Sequence, residues 1–305
     1  MRSFMFNISV EGQQDRHINI CSYFKILRPA NCFFAMFTTF VGFWYGIYDV
    51  SVAYLFLSLI AGFSTFLIAG GGYVINDFYD YTIDKINKPH RPLPSGQLTL
   101  FQAKIYAFVL FVLGIVLSIF TRNIFCIGIA VLNSILLYFY ARKLKKVFLV
   151  GNLVVAWNAC STFIYGAILL HNIANIVPLA VLSLLYTIIR EWVKCIEDFD
   201  GDSQNGVRSI ATICGKEQTK FFCWLPISIL MFSSLVLFKY QYIGVDLLVL
   251  LTIFLTIPLA IFSMSLFKAT VSATISQIHN LMKFNMLLIV SIFVVKDILY
   301  RFYVL

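Results

Sequence analysis

Long uncharged apolar runs alternate with short polar joints along nearly the whole chain. Nine runs approach the roughly 20 residues that an α-helix needs to cross a bilayer core. They cover 28–48, 53–76, 99–120, 123–140, 149–170, 175–195, 218–238, 244–267 and 279–303. Most joints are short. Two of them, 77–98 and 196–217, are long and polar, without Ser/Pro-rich or low-complexity tracts. The pattern predicts an all-α polytopic membrane protein, with a polar tail over 1–20 and one membrane domain over 21–305.

Charge orients this arrangement. With the N-terminus on the cytoplasmic side, all but four of the 23 Lys and Arg residues (Arg122, Lys239, Lys296 and Arg301) fall nearer the cytoplasmic face. That is the positive-inside bias of membrane proteins. A net charge of +9 would suggest nucleic acid in a soluble protein; here topology is the simpler cause, and no nucleic-acid partner is expected. A composition 60% hydrophobic and 12% charged excludes both a soluble globular domain and a disordered chain. The seven cysteines show neither zinc-ligand spacing nor a disulfide framework. Cys126, Cys160 and Cys223 read as small buried hydrophobes. The polar tail lacks the pattern of a cleavable signal or an organelle transit peptide, so a prokaryotic plasma membrane is expected.

The candidate chemistry lies in the two long joints, which share the cytoplasmic face. The first begins Asn76-Asp77-Phe78-Tyr79-Asp80-Tyr81-Thr82-Ile83-Asp84. If the second helix continues, Asp77, Asp80 and Asp84 share one of its faces, with Asn76 beside them. Three like charges repel, and the arrangement makes sense if a cation neutralises it. Magnesium takes oxygen ligands, often one or two carboxylates plus substrate phosphates. Lys88 and Arg91 follow in a segment stiffened by Pro89, Pro92 and Pro94, and supply the charge a phosphate wants. His90 alone is no evidence of a ligand. In the second joint Asp198 and Asp202 stand four residues apart, with Glu191 and Lys194 upstream and Arg208 downstream. Glu197 and Asp200 read as ordinary loop acids. Two acidic clusters with interleaved basic residues suit a diphosphate held through magnesium. Departure of pyrophosphate from an allylic carbon leaves a carbocation, which aromatic faces stabilise. Tyr73, Phe78, Tyr79 and Tyr81 lie nearest the first cluster. A transporter or lipid-binding protein is the alternative of another class, although transporter acids tend to sit at the bilayer midplane.

These residues resemble the UbiA superfamily of intramembrane prenyltransferases. Its NDxxDxxxD motif is matched by Asn76, Asp77, Asp80 and Asp84, and its usual extension by Asn87-Lys88-Pro89 and Arg91-Pro92-Leu93-Pro94-Ser95-Gly96. Its YxxxLKR-type stretch followed by Gly-Asn is similar to Tyr140, Leu144-Lys145-Lys146 and Gly151-Asn152. Arg28-Pro29-Ala30-Asn31 resembles the start of its first membrane helix. The second motif, DxxDxxxD, is incomplete: Asp198 and Asp202 fill its second and third places, but Cys195 stands in the first. Cysteine cannot replace a carboxylate toward a hard cation. Glu191 or Glu197 could help, two carboxylates could suffice, or activity could be altered.

The resemblance implies a bundle of about nine transmembrane helices that uses Mg2+ and a prenyl diphosphate. It implies Asp77, Asp80, Asp84, Asp198 and Asp202 as metal-binding residues. Asn31, Asn76, Lys88, Arg91, Tyr140, Lys145, Lys146, Lys194 and Arg208 would contact substrate. Within the superfamily, Arg190-Glu191, Lys194, Ile196-Glu197-Asp198, Gly201-Asp202 and Gly206-Val207-Arg208-Ser209 are similar to the geranylgeranylglycerol-phosphate geranylgeranyltransferases. That likeness implies transfer of a geranylgeranyl group to the hydroxyl of geranylgeranylglyceryl phosphate, a lipid acceptor. An aromatic acceptor of a quinone, tocopherol or chlorophyll-type pathway is the alternative.

Overall fold

A computed structural model describes residues 20–46, 52–170, 173–204, 206–240 and 243–304. The polar tail over 1–19 lies outside the described residues. Those described are helical and contain no strand. In chain order the helices are α1 (Ile20–Ile26), α2 (Pro29–Gly46), α3 (Val52–Tyr79), α4 (Tyr81–Asn87), α5 (Leu100–Ile119), α6 (Ile124–Arg142) and α7 (Val150–Ile168). They continue as α8 (Val177–Glu197), α9 (Phe199–Gln204), α10 (Ile210–Cys214), α11 (Lys216–Lys239), α12 (Val245–Leu251), α13 (Ile257–Lys268) and α14 (Ser272–Val304). A π-helical stretch, Thr252–Thr256, joins α12 and α13 into one rod.

The long rods follow the nine apolar runs in order. By length and composition α3, α5, α6, α11, the α12–α13 rod and α14 each suit a bilayer. The α1–α2 pair, bent by 56°, makes a seventh span if counted as one. The two remaining rods are the polar ones. α7 carries Asn152, Asn158, Ser161 and Thr162, and α8 carries Arg190, Glu191 and Lys194. Nine is therefore an approximate count of crossings. The polarity of α7 and α8 has a cause in their position, because α7 lies between α2 and α8 and both bury much of their length.

The helices close on themselves. α2 packs between α3 and α7, with α5 and α6 against α3. α8 follows α7 and contacts α11 and α14. α14 returns to α2, where Trp44 Nε1 donates to Asp297 Oδ2 at 2.7 Å and the Tyr45 hydroxyl to the Phe293 carbonyl at 2.8 Å. Two glycines set the α2–α7 approach. A Cβ on Gly42 would strike the Phe163 carbonyl, and one on Gly166 the Thr39 carbonyl. Small residues bring backbones together where no hydrophobic drive operates between helices. Hydroxyl pairs then link Thr38 to Thr162 at 2.7 Å and Thr39 to Thr65 at 2.8 Å. The π-helical turn is anchored from α14, whose Asn285 Nδ2 donates to the Phe254 carbonyl at 2.8 Å. The Tyr186 hydroxyl of α8 donates in turn to Asn285 Oδ1 at 2.8 Å.

The exterior is apolar. Phe108, Phe125, Phe221, Leu225, Phe232 and Phe284 are exposed, far more apolar surface than a soluble monomer leaves uncovered. Cys126, Cys160 and Cys223 are buried and unbridged, as expected of small hydrophobes.

Candidate active site

The first acidic motif sits where α3 gives way to α4. The helix pauses at Asp80 but keeps its spacing. The Asp80 amide donates to the Asn76 carbonyl at 2.9 Å, Asp84 to Asp80 at 2.8 Å, and Lys88 to Asp84 at 2.8 Å. The motif therefore follows helical spacing, but its carboxylates divide between partners: Asp77 and Asp84 share Arg91, and Asp80 stands apart with Lys145. Arg91 Nη1 bridges Asp77 Oδ1 at 3.1 Å and Asp84 Oδ2 at 2.6 Å. Asp77 also pairs with Arg28, and Asp80 pairs with Lys145. Asn76 Nδ2 donates to Asp80 Oδ2 at 2.9 Å, and its Oδ1 lies 3.4 Å from Lys145 Nζ.

Asp77 and Asp84 are 3% and 4% exposed. Carboxylates buried so deeply remain charged only against close cations. Arg28 is one of those cations, and sequence reasoning missed its role. It occupies a left-handed conformation, φ 52°, at the joint between α1 and α2. Its guanidinium lies over the Tyr73 ring at 5.1 Å. The available signal was Pro29 at the start of α2, which fixes the joint but says nothing of a partner 49 residues away.

Asp198 ends α8, and Asp202 lies half-buried in α9, its amide donating to the Asp198 carbonyl at 2.9 Å. Burial and the like charge of Asp198 push the Asp202 carboxyl up to about 6, against the pull of Lys194 and the Ser209 hydroxyl. Asp198 is also raised by burial, with Lys194 opposing. The two motifs meet at one mouth: Asp80 contributes to the field at Asp202, and Lys88 feels both Asp84 and Asp198. Tyr140 lies within electrostatic reach of Lys194, Glu191, Asp80 and Cys195.

The other expected residues divide between this cluster and its rim. Asn31 hydrogen-bonds Tyr73. Lys146 and Arg208 are exposed, and their loops are joined by the Arg208 amide and the Lys146 carbonyl at 3.4 Å. Of the aromatics near the first motif, Tyr73 touches the ion-pair cluster. Phe78 and Tyr79 stack edge to face, the Tyr79 hydroxyl lies 3.3 Å from Tyr138, and Tyr81 carries Lys85 on its face at 4.6 Å. Asp200 pairs with Lys216 at 3.1 Å, the ordinary loop role expected of it. Glu197 is more than a loop acid, since its Oε2 meets His279 Nδ1 of α14 at 2.9 Å.

Cys195 receives a contact from Asn152 Nδ2 at 3.5 Å. Glu191 is engaged by Arg190 at 3.0 Å and Glu197 by His279, so each glutamate that could stand in for the missing aspartate already has a partner. Among the described residues no three His, Cys, Asp or Glu side chains converge into a closed metal cage. Magnesium needs none, because it usually keeps water and substrate phosphate beside one or two carboxylates. The hard oxygens of Asp77 with Asp84, and of Asp198 with Asp202, fit that habit.

Residues 35–288 match the model of the UbiA prenyltransferase family. The chain belongs to the UbiA prenyltransferase family. This UbiA prenyltransferase is 38% identical over 223 residues to the digeranylgeranylglyceryl phosphate synthase of Methanococcus maripaludis, covering 72% of this chain and 77% of that relative. It is 37% identical over 257 residues to the synthase of the same name from Saccharolobus solfataricus, covering 81% and 86%. It is also similar to a solved structure from work on the structure and mechanism of digeranylgeranylglyceryl phosphate synthase in membranes. The TM-score is 0.75 at 32% identity, over 90% of this chain and 97% of the other. A UbiA homologue from Archaeoglobus fulgidus, solved with DMAPP and Mg2+, shares the fold with TM-score 0.68 at 15% identity, over 88% and 99%.

Proposed function

We propose that this enzyme transfers a geranylgeranyl group from its diphosphate to the free hydroxyl of geranylgeranylglyceryl phosphate, releasing pyrophosphate, at the cytoplasmic face of a plasma membrane. The observation that carries the reading is the meeting of two acidic motifs and their basic partners at one mouth of an apolar bundle. Relatives named digeranylgeranylglyceryl phosphate synthase at 37–38% identity support the acceptor.

Asp77, Asp80 and Asp84 on one side and Asp198 and Asp202 on the other would hold magnesium, with Asn76 orienting Asp80. Magnesium, when bound, neutralises the diphosphate and stabilises the departing pyrophosphate. Arg91, Lys88, Lys145 and Lys194 ring the same space and supply donors to phosphate oxygens, with Lys146 and Arg208 at the rim. Tyr73, hydrogen-bonded by Asn31 and carrying Arg28 over one face of its ring, would offer its other face to the positive charge that develops on the allylic carbon. The carbon–oxygen bond to the diphosphate breaks, the acceptor oxygen bonds to that carbon, and the hydroxyl proton leaves with the pyrophosphate. The apolar walls take the prenyl chain and exclude the water that would otherwise capture the cation.

The test is product analysis. Purified protein receives geranylgeranyl diphosphate and Mg2+ with either geranylgeranylglyceryl phosphate or a panel of hydroxybenzoate, naphthoate and homogentisate. Mass spectrometry of a diether phosphate is the expected result. A prenylated aromatic product would overturn the acceptor and retain the ionisation step.

A further inference from the structure

A second group of charges lies on α8 and α14, with Arg190 half-buried and Lys283 exposed. Arg190 precedes Asp198 by two helical turns, about 12 Å along the axis at 1.5 Å per residue. Its Nη2 donates to Glu191 Oε1 at 3.0 Å, while its Nε is buried without a hydrogen-bond partner. Across the cleft, Arg190 is within electrostatic reach of Tyr73 on α3. Lys283 of α14 reaches Arg190, Lys194, Glu191 and Glu197 in the same way. Its ammonium has a contact only at the limit of hydrogen bonding, Asn280 Oδ1 at 3.5 Å.

Arg190, Lys194 and Lys283 face three carboxylates, Glu191, Glu197 and Asp198, of which Glu197 is committed to His279 at 2.9 Å. The buried, unpartnered Nε of Arg190 calls for an acceptor, and the loosely held Lys283 ammonium within electrostatic reach of it favours an anionic one. A guanidinium fork with a nearby ammonium matches phosphate oxygens. The cations of the first motif, Arg28, Arg91 and Lys145, are separately engaged by Asp77, Asp84 and Asp80. The axial spacing of about 12 Å between Arg190 and Asp198 is of the order that separates two phosphate groups with a reacting carbon and a glyceryl backbone between them.

We propose that Arg190 and Lys283 bind the phosphomonoester of the acceptor lipid and select a phosphorylated acceptor over a neutral one. The proposal rests on the ether-lipid reading above, and binding can be measured apart from turnover.

Thermal stabilisation of the detergent-solubilised protein is followed without metal or prenyl diphosphate. The probes are geranylgeranylglyceryl phosphate, the same lipid lacking phosphate, and inorganic phosphate. The wild-type protein binds the phosphorylated lipid at least tenfold more tightly than the alcohol, and inorganic phosphate competes weakly. Lys283→Gln and Arg190→Gln each remove at least tenfold of that preference, and Arg190→Lys restores part of it. In turnover, KM for the phosphorylated acceptor rises by the same factor while KM for the prenyl diphosphate stays within twofold. Unchanged preference in both Gln variants overturns the proposal, as does an equal rise in KM for the diphosphate. Inorganic phosphate binding as tightly as the lipid assigns the site to a free anion and overturns the headgroup assignment. A protein that shows the preference and its loss in the variants, yet forms no diether, keeps the anion site and refutes the ether-lipid reading.

Discussion

Asp77→Asn is the most informative single change, because it removes a charge while keeping the side-chain volume. Asp77 Oδ1 meets both Arg28 and Arg91. Breaking a buried ion pair by deleting one partner costs about 3–5 kcal/mol. Two features keep the cost near the lower end. Arg91 retains Asp84 at 2.6 Å, and Arg28 retains the Tyr73 ring at 5.1 Å, a contact worth roughly 0.5–2 kcal/mol. A stability loss of about 3 kcal/mol is therefore expected, with the protein still inserted and folded. Turnover falls far more, by about 10²–10³-fold, the usual cost of removing one preorganised electrostatic group. Asp84→Asn adds a second constraint. The double variant leaves Arg91 without a carboxylate, so its cost exceeds the sum of the single changes by roughly 0.5–3 kcal/mol. Unfolding in detergent and parallel turnover measure both quantities. A well-folded Asp77→Asn protein with turnover within tenfold of wild type would refute the catalytic assignment. Additive stability losses would refute the sharing of Arg91.

Further outcomes follow from other contacts. Asp202, raised to about 6 by burial and Asp198, is neutral below that pH and must lose a proton to hold a cation. Magnesium affinity therefore falls as pH drops below about 6, read by the magnesium concentration giving half-maximal turnover. In chelator the sign reverses for stability: a carboxyl raised above its unfolded value favours the fold at low pH, so Tm declines as pH rises toward and past about 6, and Asp202→Asn flattens that slope. Gly166→Ala drives a Cβ into the Thr39 carbonyl and costs about 1–3 kcal/mol; an unchanged Tm would contradict the close α2–α7 approach. Glu197→Gln weakens the tie to His279 and lowers Tm without altering the magnesium requirement, whereas Cys195→Asp, which completes the second motif, lowers that requirement. Magnesium titrations of turnover separate the two.

The helical rods were legible because lipid leaves a spanning segment no choice but to satisfy its own backbone. The length of each apolar run then bounds each rod. α7 and α8 were legible as runs, but their polarity becomes intelligible only when α2, α11 and α14 are seen to cover them. The acidic motifs were equally visible. Their partners were not, because Arg28 meets Asp77 across 49 residues and His279 meets Glu197 across 82, and no local spacing encodes such pairs. The division of the first motif, with Asp84 toward Arg91 and Asp80 toward Lys145, depends on where two loops return. The π-helical turn at Thr252–Thr256 left no mark in the hydrophobic pattern either, since Asn285 anchors it from a different helix.

The pairing of Arg28, Arg91 and Lys145 with Asp77, Asp84 and Asp80 has a thermodynamic consequence. Each group that would greet an anion is occupied by a group that would greet a metal. An anion that draws Arg91 away bares two carboxylates, and a divalent ion that takes those carboxylates frees the guanidinium. Either ligand arriving alone must break contacts that the other would have released. With both ligands bound as proposed, the mouth would act as an exchange of counterions, in which diphosphate and metal tighten each other's binding by the same factor. Until both are present, the cations and carboxylates of the first motif neutralise one another.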